Sequence, residues 1–208
     1  MRARFTSDEI ASTALRLVDG QGLSALSMRS LATALGTGPM TLYNYVKDKE
    51  GLEELVVTAV MATIPTHRPS ADWRADVERI ARDIWTAVRN HPAAIPLVLT
   101  RRVSSPEGFA VIDALIAALG RGGLEGENRL AAFRAVLGFV VGSAQAGLGT
   151  DPQETAARIG AVAADDYPNV AALAKVAQKA GPTTEFELGI TMLLDGIAKH
   201  ATAEGERR

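Results

Sequence analysis

From the amino terminus, apolar residues recur at three- and four-residue intervals, the pattern of helices that bury one face. Ile10, Ala14, Leu17 and Val18 mark the first stripe. It is preceded by Thr6-Ser7-Asp8-Glu9, which reads as a capping box, and it stops at Gly20 and Gly22. Ser27 opens a second helix, "MRSLATAL", with Leu31, Ala32 and Leu35 turned inward. Gly36 ends it, because a glycine there tolerates the left-handed backbone. After Thr37-Gly38, Pro39 suits the first turn of a third helix, "PMTLYNYV", whose Leu42 and Val46 point inward. Asp48 caps a fourth helix with an inner stripe of Leu52, Leu55, Val56 and Ala59. That stripe fails at Ile64-Pro65, and "PTHRPSAD" reads as a linker.

Beyond residue 72 the helical pattern continues. Trp73, Val77, Ile80, Ile84, Trp85 and Val88 keep helical spacing, and a shorter apolar piece covers 93 to 100. Helices are expected at 107–119 and 125–147, then from "GTDP" to about Ala164, then briefly after "DDYPN". Thr184 and Glu187 suggest a capping box for a last helix, 185–201. The expected fold class is all-α. It comprises an N-terminal three-helix domain (1–50), a connecting helix and linker (51–68), and a larger helical domain (69–208).

Composition narrows the partners. Hydrophobic residues reach 47% with only 5% aromatic, so the cores are built from Ala, Leu, Val and Ile. The absence of cysteine excludes disulfides and thiolate metal sites and fits a cytoplasmic protein. "MRARFTSDEIAS" lacks the apolar run of a signal peptide, and 135–149 is too short and glycine-rich to span a membrane. No membrane partner is therefore expected. Net charge is -2, and residues 1–64 hold six Lys/Arg against seven Asp/Glu. A nucleic-acid partner would have to be met by local placement of charge.

That placement is found at "ALGTGPMTLYNYVKDKEGL", residues 34–52. Short helices with a tight glycine-bearing turn between the second and third describe a helix-turn-helix. Met40, Thr41, Tyr43 and Asn44 lie off the inward face of the third helix. Hydroxyls and lysines suit phosphate oxygens, and Asn44 with the Pro39/Met40 edge suits base edges or a thymine methyl. On residue pattern alone, a Gly-Pro turn between core helices with Tyr43 and Tyr45 as packing remains the alternative.

The stretch "SMRSLATALGTGPMTLYNYVKDKEGLEEL" closely resembles the DNA-binding domain of the tetracycline-repressor (TetR) family. The order of apolar residues, the turn, "LYxxV" and "K-D-K" all agree. "DWRADVERIARDIWTAVRNHPAAIPLVLTRR" and "DYPNVAALA…FELGITMLLDGI" are similar to the C-terminal domain of the tetracycline-repressor subgroup.

The resemblance implies a ligand-responsive repressor that leaves a palindromic double-stranded operator when a small-molecule effector binds. It implies base-edge contacts from Pro39, Met40, Tyr43 and Asn44. It also implies backbone contacts from Ser27, Arg29, Thr37, Thr41, Tyr45, Lys47 and Lys49, with Arg2 and Arg4 as an N-terminal arm or a solvated terminus. A homodimer is expected through helices near 125–147 and 185–201. There, Gly138, Gly142, Ala146 and Gly149 would permit close approach, and Phe186, Ile190, Leu193 and Ile197 would supply an apolar stripe. The C-terminal domain would hold the effector, with Trp85, Val98, Phe109, Ile112, Phe133 and Phe139 mixed with Thr100, Arg102 and Gln145.

Tetracycline repressors hold a drug–magnesium chelate through histidines and a glutamate. The matching places here carry Pro65, Leu97 or Val98, and Gln145 or Ala146, so no metal and no cofactor are expected. No catalytic constellation is found, and an enzyme is not expected. A sequestering or protein-binding helical module without DNA recognition is the alternative function.

Overall fold

In the computed structural model, described over residues 5–100, 105–146, 151–162 and 166–205, eleven α-helices and no strand are present among those residues. Packing divides the chain at Gly122 into two units, Met1–Gly122 and Gly123–Arg208. The first unit holds α1 (Ser7–Gln21), α2 (Met28–Ala34), α3 (Pro39–Leu42), α4 (Lys49–Ala62), α5 (Trp73–Asn90), α6 (Ile95–Thr100) and α7 (Pro106–Arg121). The second holds α8 (Gly126–Gln145), α9 (Pro152–Val162), α10 (Pro168–Ala177) and α11 (Pro182–Gly205).

Local chemistry sets the ends of the first helices. Thr6 Oγ1 accepts from Glu9 N while Glu9 reaches back to Thr6 N, completing the capping box of α1. Gly22, at φ 80°, takes the backbone turn that stops it. Ser27 caps α2 by accepting from Ser30 N at 3.1 Å. At the other end of α2, Thr37 N donates to Ala32 O and Gly36 N to Thr33 O, with Gly36 at φ 64°. These two bonds make a Schellman turn, which only a residue tolerant of positive φ closes without strain.

The third helix is shorter than its pattern predicts. Only Pro39–Leu42 is α-helical, and the chain then tightens. Asn44 N reaches Thr41 O, Tyr45 N reaches Leu42 O, and Val46 N closes back on Leu42 O. Asn and Tyr are weaker helix formers, and three-residue bonds are the usual way a short helix runs out. Leu42 and Val46 are nevertheless buried as expected, so the face between them keeps its orientation. Full burial of a leucine such as Leu42 contributes roughly 1.5–3 kcal/mol.

α4 is the hub of the first unit. It packs on α1, α5, α6 and α7, and its Leu52, Val56, Val57 and Val60 are buried. α5 lies on α7, where Trp73 covers Gly122 so closely that an added Cβ would sit 2.6 Å from the indole. The linker contributes to the packing through Ser70 and His67, as set out below.

In the second unit, α8 packs on α11 and α9 on α10. Ala132, Val136, Val140 and Ala144 form the buried stripe of α8, four residues apart. Phe139 stacks on Phe186 with ring centroids 5.7 Å apart and lies over Gly189, where no side chain would fit. The last helix begins at Pro182, before the expected start. Thr184 and Glu187 thus lie inside it, and the expected capping box is absent. Proline at the first helical position needs no N–H, and Glu185 N already closes on Gly181 O. The stripe expected to face a partner is also corrected. Phe186, Ile190 and Ile197 are buried within the unit. Leu188 and Met192 are exposed on the other face of α11. No helix among the described residues is long and apolar enough to cross a membrane.

Candidate nucleic-acid interface

The Schellman turn sets α3 across α2, and the residues between Leu42 and the two flanking turns stand free. Met40 is 78% exposed and Tyr43 49%, large side chains left in water by a segment whose apolar partners are fully buried. Pro39 and Asn44 are exposed beside them, and Thr41 is half-buried. Met40 and Tyr43, three positions apart on α3 and at its C-cap, leave thioether methyl, ring and hydroxyl groups open to solvent.

Around this edge the cations are placed one by one. Arg29 on α2, Lys47 before α4 and Lys49 at its start are exposed, and Lys49 Nζ lies 3.7 Å from Glu53 Oε1. Asp48 is committed to capping α4, accepting from Gly51 N at 2.9 Å. A carboxylate at a helix N-terminus is partly offset by the helix dipole, which lessens its repulsion of a nearby phosphate.

Three expected backbone contacts have additional work within the fold. Ser27 is occupied as the cap of α2. Tyr45 is half-buried; its hydroxyl accepts from Phe5 N at 3.2 Å, and the two rings meet edge to face at 6.5 Å. The Tyr45 O–H proton still has a direction in which to donate. Thr37 is half-buried with its hydroxyl enclosed and without a hydrogen-bond partner, because the Schellman turn folds it inward. Arg2 and Arg4 lie outside the described residues.

A further contact reaches from this module into the rest of the first unit. His91 Nδ1 lies 2.8 Å from Asp19 Oδ2, joining the end of α1 to the end of α5. α1 also packs against the turn Pro92–Ala94 that follows.

The residues expected to line an effector pocket divide between the two units. Trp85 is buried with the Arg89 guanidinium 4.8 Å from its ring centroid. Val98 and Ile112 are half-buried, Phe109 is 55% exposed, and Thr100 is exposed, donating to Pro96 O. In the second unit Phe133 is half-buried, Phe139 is stacked on Phe186, and Gln145 is exposed. Arg102 and Gly149 lie outside the described residues.

Within the first unit, a cavity of about 170 Å³ opens where the end of α4, the linker, α5 and α7 meet. Its walls are Ile64, Ile80, Val111, Ala110, Ala114 and Ala117, with Asp76, Arg79 and Arg121 at its polar edge. Asp76 is 2% exposed. It accepts from Ser70 N at 2.8 Å, from Arg79 Nη2 at 2.5 Å and from Arg121 Nη2. Burial pushes its carboxyl up, but the Ser70 hydrogen bonds and the two guanidinium groups outweigh burial and hold it below the usual value. The periodicity carried a signal for this cluster, since Asp76 falls on the inward stripe of Trp73, Val77 and Ile80. Its partner Arg121 is 45 positions away and left no such trace. Among the described residues, no group of three or more His, Asp or Glu is placed to hold a metal ion.

Comparison with known proteins agrees with this architecture. Residues 10–56 match the model of the tetR family of bacterial regulatory proteins, and residues 65–201 match the tetracycline-repressor-like C-terminal domain. The chain is 29% identical over 214 residues to the HTH-type transcriptional repressor DrrR1 of Streptomyces coeruleorubidus, covering 93% of this chain and 77% of that one. It is 27% identical to the class A tetracycline repressor of transposon 1721 from Escherichia coli, across 99% of this chain and 98% of that one. The crystal structure of apo ActR from Streptomyces coelicolor superposes with a TM-score of 0.84 at 26% identity, covering 98% and 100% of the two chains. ActR has also been crystallised with actinorhodin; that complex has a TM-score of 0.82 at 27% identity, covering 96% and 99%. With both domain models matched, the chain belongs to the tetR family: it is a helix-turn-helix, DNA-binding transcriptional regulator, not an enzyme.

Proposed function

We propose that the protein is a homodimeric repressor that holds a palindromic operator and releases it when a small molecule binds. The observation that carries DNA reading is the pair of large exposed side chains, Met40 and Tyr43, on a segment anchored by fully buried Leu42. A side chain left in water at that cost in apolar exposure is suited to a partner. Pro39, Met40, Tyr43 and Asn44 are assigned to base edges. Arg29, Thr41, Tyr45, Lys47 and Lys49 are assigned to phosphates, with Ser27 and Thr37 holding the geometry beneath them.

The dimer is assigned to α8 and α11. Gly138 and Gly142 have open space in front of them, and exposed Leu130, Leu188 and Met192 supply apolar area nearby. A single recognition helix reads too few base pairs for useful specificity, so a second copy is part of the reading. Residues 1–50 take the DNA-binding role, 51–68 the coupling role and 69–208 the ligand and dimer roles. The cavity at the end of α4 is assigned to the effector. A ligand there bears on Ile64 and so on α4, which packs directly on α1. If the ligand favours one of two dimer conformations, operator affinity falls by its differential affinity; about 3 kcal/mol corresponds to roughly two orders of magnitude.

The test is selection of bound fragments from a random double-stranded DNA pool, with wild type beside Tyr43→Ala. A palindrome enriched by wild type alone supports the reading. No enrichment by a folded dimer would sink it in favour of a sequestering or protein-binding module.

A further inference from the structure

We infer that the cavity takes a small monoanion, a carboxylic acid on an apolar body about the size of one aromatic ring. This rests on reading the cavity as the effector site and specifies what enters it. The argument begins with charge. The ionisable groups that face the cavity are Asp76, Arg79, Arg121 and His67. One carboxylate thus stands against two guanidinium groups, and the nearby Asp83 carboxylate is turned to His67, 2.6 Å away. Among the groups that line the cavity, the two guanidinium groups outnumber the one carboxylate by one charge.

Hydrogen bonding points the same way. Each guanidinium has five donors, yet Asp76 takes only an Nη2 from each. Arg79 Nη2 also leans on Arg68 O at 3.4 Å. A ligand carboxylate is the group whose charge and planar pair of acceptors answer the unused Nη donors of the two guanidinium groups. A cation is opposed by the two guanidinium groups, and a purely apolar ligand leaves their unused donors without an acceptor.

Size comes from the other wall. Ala110, Ala114 and Ala117 fall at helical spacing on α7, so the room in front of them exists because their side chains are methyl groups. A cavity of about 170 Å³ compares with the roughly 150 Å³ that admits a benzene ring. A ligand of several fused rings would have to displace the linker.

The experiment titrates the full-length protein with benzoate and phenylacetate, their primary amides, and benzylamine, by calorimetry and thermal shift. Wild type is expected to bind the acids at least 10-fold more tightly than the amides and not to bind benzylamine. Arg121→Gln is expected to erase that preference. Asp76→Asn frees both guanidinium groups and is expected to tighten the acids while leaving the amides unchanged. A merely structural Asp76 would weaken all of them together. Ala114→Leu, which fills the cavity, is expected to abolish binding. The acid-to-amide ratio of wild type needs no variant, so a variant that fails to fold leaves the inference open to refutation. Equal binding of acids and amides, both lost in Ala114→Leu, would overturn the anion and leave the cavity reading standing. No binding by any probe, or binding indifferent to Ala114→Leu, would overturn both.

Discussion

Removing the charge of Lys47 gives a direct measure of how the protein meets DNA. Lys47 is exposed between α3 and α4, so Lys47→Gln is expected to leave stability within about 0.5 kcal/mol. The proposed surface carries three cations, Arg29, Lys47 and Lys49, hence about six phosphate contacts in a dimer. With about 0.9 counterions released per neutralised phosphate, log affinity should fall with log salt at a slope of about −5.4. Lys47→Gln removes two of the six, and the slope should ease to about −3.6. Between 50 and 200 mM salt, wild type should lose about 2,000-fold in affinity and the variant about 150-fold. Fluorescence anisotropy on a labelled operator at four salt concentrations reads both lines, with Lys175→Gln on α10 of the second unit as the control. A slope unchanged by Lys47→Gln would refute the placement of that lysine at the backbone. A shallow wild-type slope would refute the charge placement as a whole.

Four further outcomes are expected. An added methyl at Gly189 would sit 2.6 Å from Phe139 Cε2, so Gly189→Ala should cost about 1–3 kcal/mol by overpacking and lower the melting temperature. Gly138→Ala, with open space in front of it, should not destabilise the protomer but should weaken the dimer, as read by sedimentation velocity. Ser27→Ala removes the acceptor for Ser30 N and should cost about 1 kcal/mol in chemical denaturation, together with a loss of operator affinity. Asp76 has a folded-state pKa below its ordinary value. Its contribution is therefore present above the unfolded carboxylate value of about 3.9 and is lost as pH falls below it. Acid unfolding of Asp76→Asn should accordingly depend less on pH below about 4 than that of wild type; parallel curves would refute the coupling.

What could be read from the amino-acid order alone was whatever depends on neighbours a few positions apart. Thr6 with Glu9, Ser27 at the head of α2, Gly36 behind it and Asp48 before α4 each act over three to five residues. The helix ends and the helix-turn-helix were legible for that reason. The buried pair Leu42 and Val46 likewise followed from period alone, and it determines which side chains are left exposed.

Periodicity could not say which of two apolar faces on α11 finds its partner within the protomer. Phe186, Ile190 and Ile197 are buried because Phe139 of α8 lies over a glycine, a match between helices 50 residues apart. The contact of Tyr45 with Phe5 was hidden as well, since it joins residues 40 positions apart. The cavity depended on tertiary structure most of all. Asp76 occupies an apolar stripe at a cost that local rules count as an error. Ser70 and Arg79 nearby, together with the distant Arg121 brought to it by the folding of α5 on α7, supply the hydrogen bonds and charge that make a buried carboxylate stable there.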